Sequence, residues 1–134
     1  MKKLFWDTAV LDARAVSEFG LSTEVLMQNA ANALARAVRT RFKKSSLKRR
    51  KILGGVGSGN NGADVLAALR LLGGKFDCFA FLASDKQNET SKTELTRALK
   101  CGVNLISNLT ESGEFDCIID GIFGTGLSRE LDAQ

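Results

Sequence analysis

The chain has no histidine and no proline, and no pair of cysteines at metal-binding spacing. Without histidine, Ser-His-Asp and Cys-His mechanisms are excluded, and a zinc site would have to rely on scattered thiols and carboxylates. Cys78, Cys101 and Cys117 lie far apart, each in or beside an apolar segment, and read as small buried hydrophobes. No apolar run approaches the about 18 residues needed to cross a bilayer. The N-terminus, Met1 to Asp7, starts like a signal peptide, but Asp7 and Asp12 interrupt any apolar core. A cytoplasmic location and no membrane partner are expected. No Gly-Lys-Ser/Thr is present, so a P-loop is ruled out. With no proline, no repeat and no low-complexity linker, the expectation is one α/β domain over residues 1–134 without an internal boundary.

What is present fits a globular chain: 134 residues, 44% hydrophobic and 25% charged. The net charge of +4 is uneven, because residues 36–51 hold nine of the 19 Lys and Arg and no acid, leaving the remainder at −5. Such a block could bind nucleic acid. The favoured reading is a solvated helix end, where cations complement the helix dipole, followed by a polar loop. Only Phe42 interleaves with the charges, whereas a stacking surface for nucleic acid needs several aromatics.

Helix and strand signals alternate. Asp7 to Phe19 reads as a helix stopped by Gly20. Ser22 caps a second helix, with Glu24 in its first turn and an apolar face of Leu26, Ala30, Leu34, Ala37 and Val38. Ile52 to Val56 is a short strand, and Ala63 to Leu72 a helix ended by Gly73-Gly74. Phe76 to Ala83 reads as a buried strand. Ser91-Lys92-Thr93-Glu94 is a capping-box pattern that opens a helix closed by Gly102. Val103 to Ile106 and Cys117 to Phe123 are further strands. This order, with strands apolar on both faces, predicts a Rossmann-like three-layer αβα domain with a mainly parallel sheet.

Two loops carry the chemistry. Gly54 to Asp64 contains a GxGxxG match at Gly57, Gly59 and Gly62, between a strand and a helix, with five glycines in nine residues. A backbone without side chains can approach a phosphate, and its N–H groups and the helix N-terminus face the negative charge. Asn60, Asn61 and Asp64 add oxygen groups suited to a hard cation or sugar hydroxyls. Asp85 stands where a dinucleotide fold places its ribose acid, although a polar loop explains Ser84-Asp85-Lys86 as well. The second loop follows the strand Cys117 to Phe123 and runs from Gly124 to Arg129. Loops at the carboxyl ends of parallel strands line one crevice, so the two can meet at a single ligand. Asp120, in the middle of an apolar run, needs a cation or backbone donors if it is buried.

Gly-x-Gly-Asn-Asn-Gly-x-Asp at 57–64, together with Asp-Gly-Ile-Phe-Gly-Thr-Gly-Leu at 120–127, resembles the NAD(P)H-hydrate epimerase family (the YjeF N-terminal domain). Leu26-Met27-Gln28-Asn29-Ala30-Ala31 is similar to that family's Leu-Met-Glu-Asn-Ala-Gly segment. The resemblance implies an isomerase that interconverts the R and S epimers of hydrated NADH and NADPH for cofactor repair. It implies that Asn60, Asn61, Gly62, Ala63 and Asp64 contact the NAD(P)H-hydrate. It also implies that Asn61 and Asp120 hold a potassium ion, and that Gly124, Thr125, Gly126, Leu127, Ser128, Arg129 and Glu130 wrap the phosphate region. Ala63 and Val65 stand where the family usually has glycine, Gln28 where it has glutamate, and Ala31 where it has glycine. The family's Val-Asp-Ile-Pro-Ser-Gly strand, which carries the proton-moving aspartate and a further potassium ligand, is not in this sequence. The catalytic residue is therefore expected downstream of Gln134, and the chain is read as a truncated domain whose sheet is incomplete on its C-terminal side. An open sheet edge predicts pairing with another chain, such as a homodimer. The alternatives are a nucleotide-binding module without catalysis and the front of an NAD-dependent dehydrogenase. Nucleic-acid binding through residues 36–51 is the weakest.

Overall fold

A computed structural model describes residues 8–43 and 48–123. Helices α1 (Thr8–Phe19) and α2 (Thr23–Arg41) precede strand β1 (Lys51–Val56) and helix α3 (Asn60–Leu72). Strand β2 (Asp77–Leu82), helix α4 (Glu89–Lys100), and strands β3 (Asn104–Ile106) and β4 (Cys117–Gly121) complete the order. The four strands form one sheet in the order β3-β2-β1-β4, and every pairing is parallel. This is the Rossmann-like α/β arrangement that the alternating pattern predicts. Asp7, expected to open α1, lies outside the described residues.

Local chemistry sets most helix ends. Ser22 caps α2, its side chain accepting from the Val25 N–H at 3.2 Å, with Glu24 in the first turn and Arg39 and Arg41 in the last. The helices pack on the sheet face that carries Ile52, Val56, Cys78, Ala80 and Ile119. α3 lies against β1, β2 and β4, with α2 and α4 beside it. Leu66, Leu69 and Leu72 of α3 are fully buried there, each contributing about 2 kcal/mol relative to exposure. Ala31 meets Ala67 and Ala68, and these small side chains let α2 and α3 approach closely.

Three expectations shift. The buried face of α2 is Met27, Ala31, Ala35 and Val38: Val38 is buried as expected, but the others lie one residue on from Leu26, Ala30 and Leu34, and Ala37 is exposed. Leu26 and Ala30 turn instead toward a cavity beside α3. α4 starts at Glu89 rather than at a Ser91 cap: Asn88 is extended and accepts from the Ser91 N–H at 2.8 Å. Ser91 and Glu94, read as a capping pair, are instead fully buried inside the helix. Asn88 wins because the same residue also bonds the glycine loop, so tertiary contacts decide between two good caps. Of the cysteines, Cys78 is buried and its thiol is pushed up to about 12 by desolvation, then by Asp77. Cys101 is exposed, so the buried reading fails there.

Candidate functional site

The strand order reverses direction between β1 and β4, which makes that boundary the switch point where parallel α/β sheets open a crevice. The glycine loop leaves β1 and the second loop leaves β4 at this position. The glycine loop meets the end of β4 through its backbone: the Gly57 N–H donates to the Gly121 carbonyl at 3.0 Å. The Asn61 side-chain amide donates to the Phe123 carbonyl at 3.1 Å. Asp120 pairs with Gly55 in the sheet register and is exposed, one carboxylate oxygen accepting from the Ile122 N–H at 3.0 Å. Because Asp120 is exposed, the compensation that burial would require does not arise.

The three glycines of the motif do different work. A Cβ on Gly57 would fall on the Ile122 carbonyl oxygen, with its carbon at 2.8 Å, and one on Gly62 would fall on the Gly57 carbonyl. Gly59 faces open space, so its missing side chain leaves room for something from outside. Gly59 is also the N-cap of α3, makes no side-chain cap bond, and no acid stands in the first turn. The positive end of α3 therefore remains available to an anion.

Asn60 and Asn61 are exposed, Asp64 is half-buried, and Gly62 and Ala63 are buried in the turn. Gly124 to Glu130, expected around the phosphates, lie outside the described residues. Asp85 is exposed after β2, where Lys86 donates its N–H to the Ser84 hydroxyl, and it joins none of these contacts. Asn88 is a residue that the sequence reading missed. Its N–H donates to the Ser58 carbonyl at 3.3 Å, and its side chain donates to the Asn60 side-chain oxygen at 3.0 Å. An Asn directly before the acidic Glu89 is an N-terminal cap signal that could have marked it.

Part of the basic block is engaged within the chain. Arg49 pairs with Asp77, Arg50 with Asp116, and Arg39 donates to the Leu71 carbonyl. Among the described residues, no helix is long and apolar enough to cross a membrane, and no group of three or more His, Cys, Asp or Glu could hold a metal ion. The oxygens that remain for a cation are Asp120 carboxylate, Asn61 amide and loop carbonyls, a set suited to a hard, weakly charged ion.

Asp64 lines a cavity of about 460 Å³ between α1, α2 and the starts of α3 and α4. Desolvation, with Asp12 of α1 second, raises its carboxyl to about 6 from a usual 3.8. A carboxyl raised on folding favours the fold fully below pH 3.8, and that contribution is lost as pH rises through 6. The gap corresponds to about 3 kcal/mol. Half-exposure and solvent screening reduce the expected effect to about 1 kcal/mol. Asp64→Asn should therefore raise stability at pH 8 by about that amount and leave it nearly unchanged at pH 4. Urea unfolding at the two pH values checks this, and an equal change at both would count against it.

The family model described as YjeF-related protein N-terminus matches residues 23–134. The bifunctional NAD(P)H-hydrate repair enzyme Nnr of Dictyoglomus turgidum is 34% identical over 128 residues, covering 91% of this chain and 24% of the relative. The NAD(P)H-hydrate epimerase of Oenococcus oeni is 29% identical over 126 residues, covering 92% of this chain and 59% of the relative. A solved yeast structure superposes with a TM-score of 0.80 at 22% identity, covering 93% of this chain and 57% of that one. The chain thus spans about a quarter of the bifunctional relatives' length and under two thirds of the single-activity epimerase.

Proposed function

The chain belongs to the family of YjeF-related protein N-termini, and on that premise we propose that it holds the substrate of an NAD(P)H-hydrate epimerase, the isomerase that interconverts the R and S forms of hydrated NADH and NADPH. The observation that carries this reading is the junction of the glycine loop with the end of β4 at the sheet's switch point, closed by the Gly57–Gly121 and Asn61–Phe123 bonds. The diphosphate lies over Gly59 and the uncapped start of α3, where backbone N–H groups and the helix dipole stabilise negative charge. Asn60, Asn61 and Asp64 meet the remainder of the substrate. Gly62 and Ala63 contribute by shaping the turn. The family resemblance assigns the phosphate contacts to Gly124 through Glu130.

Potassium fits the oxygen donors of Asn61 and Asp120, and when bound it would supply a positive charge that anchors the loops against the phosphates. Asn61 orients the β4 loop through its bond to Phe123. Epimerisation also needs a positioned acid or base, and the family resemblance assigns that role to the aspartate of a Val-Asp-Ile-Pro-Ser-Gly strand, a motif this sequence does not contain.

The test is NADPH-hydrate binding with and without potassium chloride, alongside epimer interconversion. Asn61→Ala and Asp120→Ala should each weaken binding about tenfold and abolish its dependence on potassium. Unchanged affinity and potassium response in folded variants would remove both residues from the site. Binding without turnover would make the chain a nucleotide-holding module.

A further inference from the structure

The cavity beside α3 is not accounted for by phosphate or cation binding. Its lining combines apolar side chains, Val16, Leu26, Met27 and Ala30, with polar ones, Asp12, Asn60, Asn61 and Asp64. Leu26 and Ala30 are the residues whose periodicity points to the core but which α2 turns toward this space, so an apolar wall stands there that the core does not use. Among the described residues, no Lys or Arg lines the cavity. Its volume of about 460 Å³ lies within the usual range for small-molecule sites.

These walls select a ligand by chemistry. Two carboxylates repel phosphate, so the diphosphate is kept outside, at the end of α3. The group that enters is uncharged, has a flat apolar body for Leu26 and Met27, and carries several hydrogen-bond donors for the acceptor-rich wall. Of the two ends of the dinucleotide, adenine offers one amino group among ring acceptors. The hydrated nicotinamide offers a carboxamide NH2 and the added ring hydroxyl. We infer that the cavity receives the hydrated nicotinamide ring, with Asp12 and Asp64 accepting from its donors and the α1–α2 side chains covering its ring. This assignment rests on the epimerase reading and states which end of the substrate goes where. It also makes α1 part of the site: Asp12 and Val16 are specificity-determining residues.

The test compares NADPH-hydrate with ADP-ribose, which keeps the adenine and diphosphate but lacks the nicotinamide. Val16 is 43% exposed, so Val16→Trp can fill the cavity from its rim without disturbing the core. It should weaken NADPH-hydrate binding about tenfold in calorimetry and leave ADP-ribose within about twofold. Asp12→Asn, which removes the charge at nearly constant volume, should weaken only NADPH-hydrate, by about threefold. Equal losses for both ligands would place the adenine end in the cavity and overturn the assignment. Unchanged NADPH-hydrate affinity in both folded variants would overturn it too, while the epimerase reading would stand. If the wild-type chain binds neither ligand, both readings fail.

Discussion

Gly57→Ala should destabilise the domain by about 3 kcal/mol or more, a large part of the stability of a chain this size. The added methyl group would meet the backbone of Ile122 and lie 2.9 Å from the Gly121 carbonyl oxygen. A flexible side chain could move aside from such a contact at little cost, but a carbonyl in a hydrogen-bonded loop cannot. Relief would require separating the glycine loop from the β4 loop and breaking the Gly57–Gly121 bond. Gly62→Ala should behave alike, because its methyl would collide with the Gly57 carbonyl. Gly59→Ala is the control. Nothing lies within 4 Å of the position its Cβ would take. Its φ is −100°, which any residue adopts. Its stability should fall by less than about 1 kcal/mol, while its affinity for a diphosphate ligand should drop, because the methyl group occupies the approach to α3. Urea unfolding and calorimetry on the three variants separate these outcomes. A Gly57→Ala protein as stable as wild type would mean that the two loops do not meet.

That contrast shows where the sequence was informative and where it was not. The pattern of strand, glycine loop, helix and second strand was enough to read a parallel sheet with the two loops at one end. It could not say which glycine packs and which faces a ligand, because identical residues differ only in what surrounds them after folding. The first three members of the apolar series of α2 lie one residue out of phase with its buried face for a related reason. Leu26 and Ala30 recur at helical spacing as well as Met27 and Ala31 do, and hydrophobicity alone does not tell a core face from a ligand-facing one. Asp12 was noted only as an interruption of an apolar stretch, since its approach to Asp64 joins positions 52 residues apart. The Ser91–Glu94 pattern resembled a capping box, yet Asn88 starts the helix and Glu94 is carried inward. Local patterns mark candidate caps, and the tertiary partners choose among them.

Removing the Glu94 carboxylate should cost about 3 kcal/mol, because it joins three helices from a fully buried position. Its side chain is 1% exposed and meets Arg97 at 2.5 Å from the same helix. Gln28 of α2 donates to it at 3.4 Å, and Arg70 of α3 lies 3.6 Å away. Arg70 Nε and Glu94 Oε2 make no hydrogen bond despite that proximity, so their attraction is coulombic only. Gln28 completes the group by accepting from Arg70 at 3.0 Å. An amide suits this position because it donates to a carboxylate and accepts from a guanidinium at once. A glutamate at 28, usual in the family it resembles, would set a second negative charge against Glu94. In Glu94→Ala, Arg97 can still reach Glu24 at the surface, but Arg70, only 22% exposed, keeps its charge with Gln28 alone. The loss should lower the melting temperature by about 10 °C. Glu94→Gln retains an acceptor for Arg97 and fills the same volume, so it should lose only about half as much stability. Since α3 and α4 both begin at the ligand crevice, loosening their packing should also weaken nucleotide binding in the alanine variant more than in the glutamine one. A loss below about 1 kcal/mol for Glu94→Ala would show that the buried carboxylate is offset by its desolvation and does not hold the helices together.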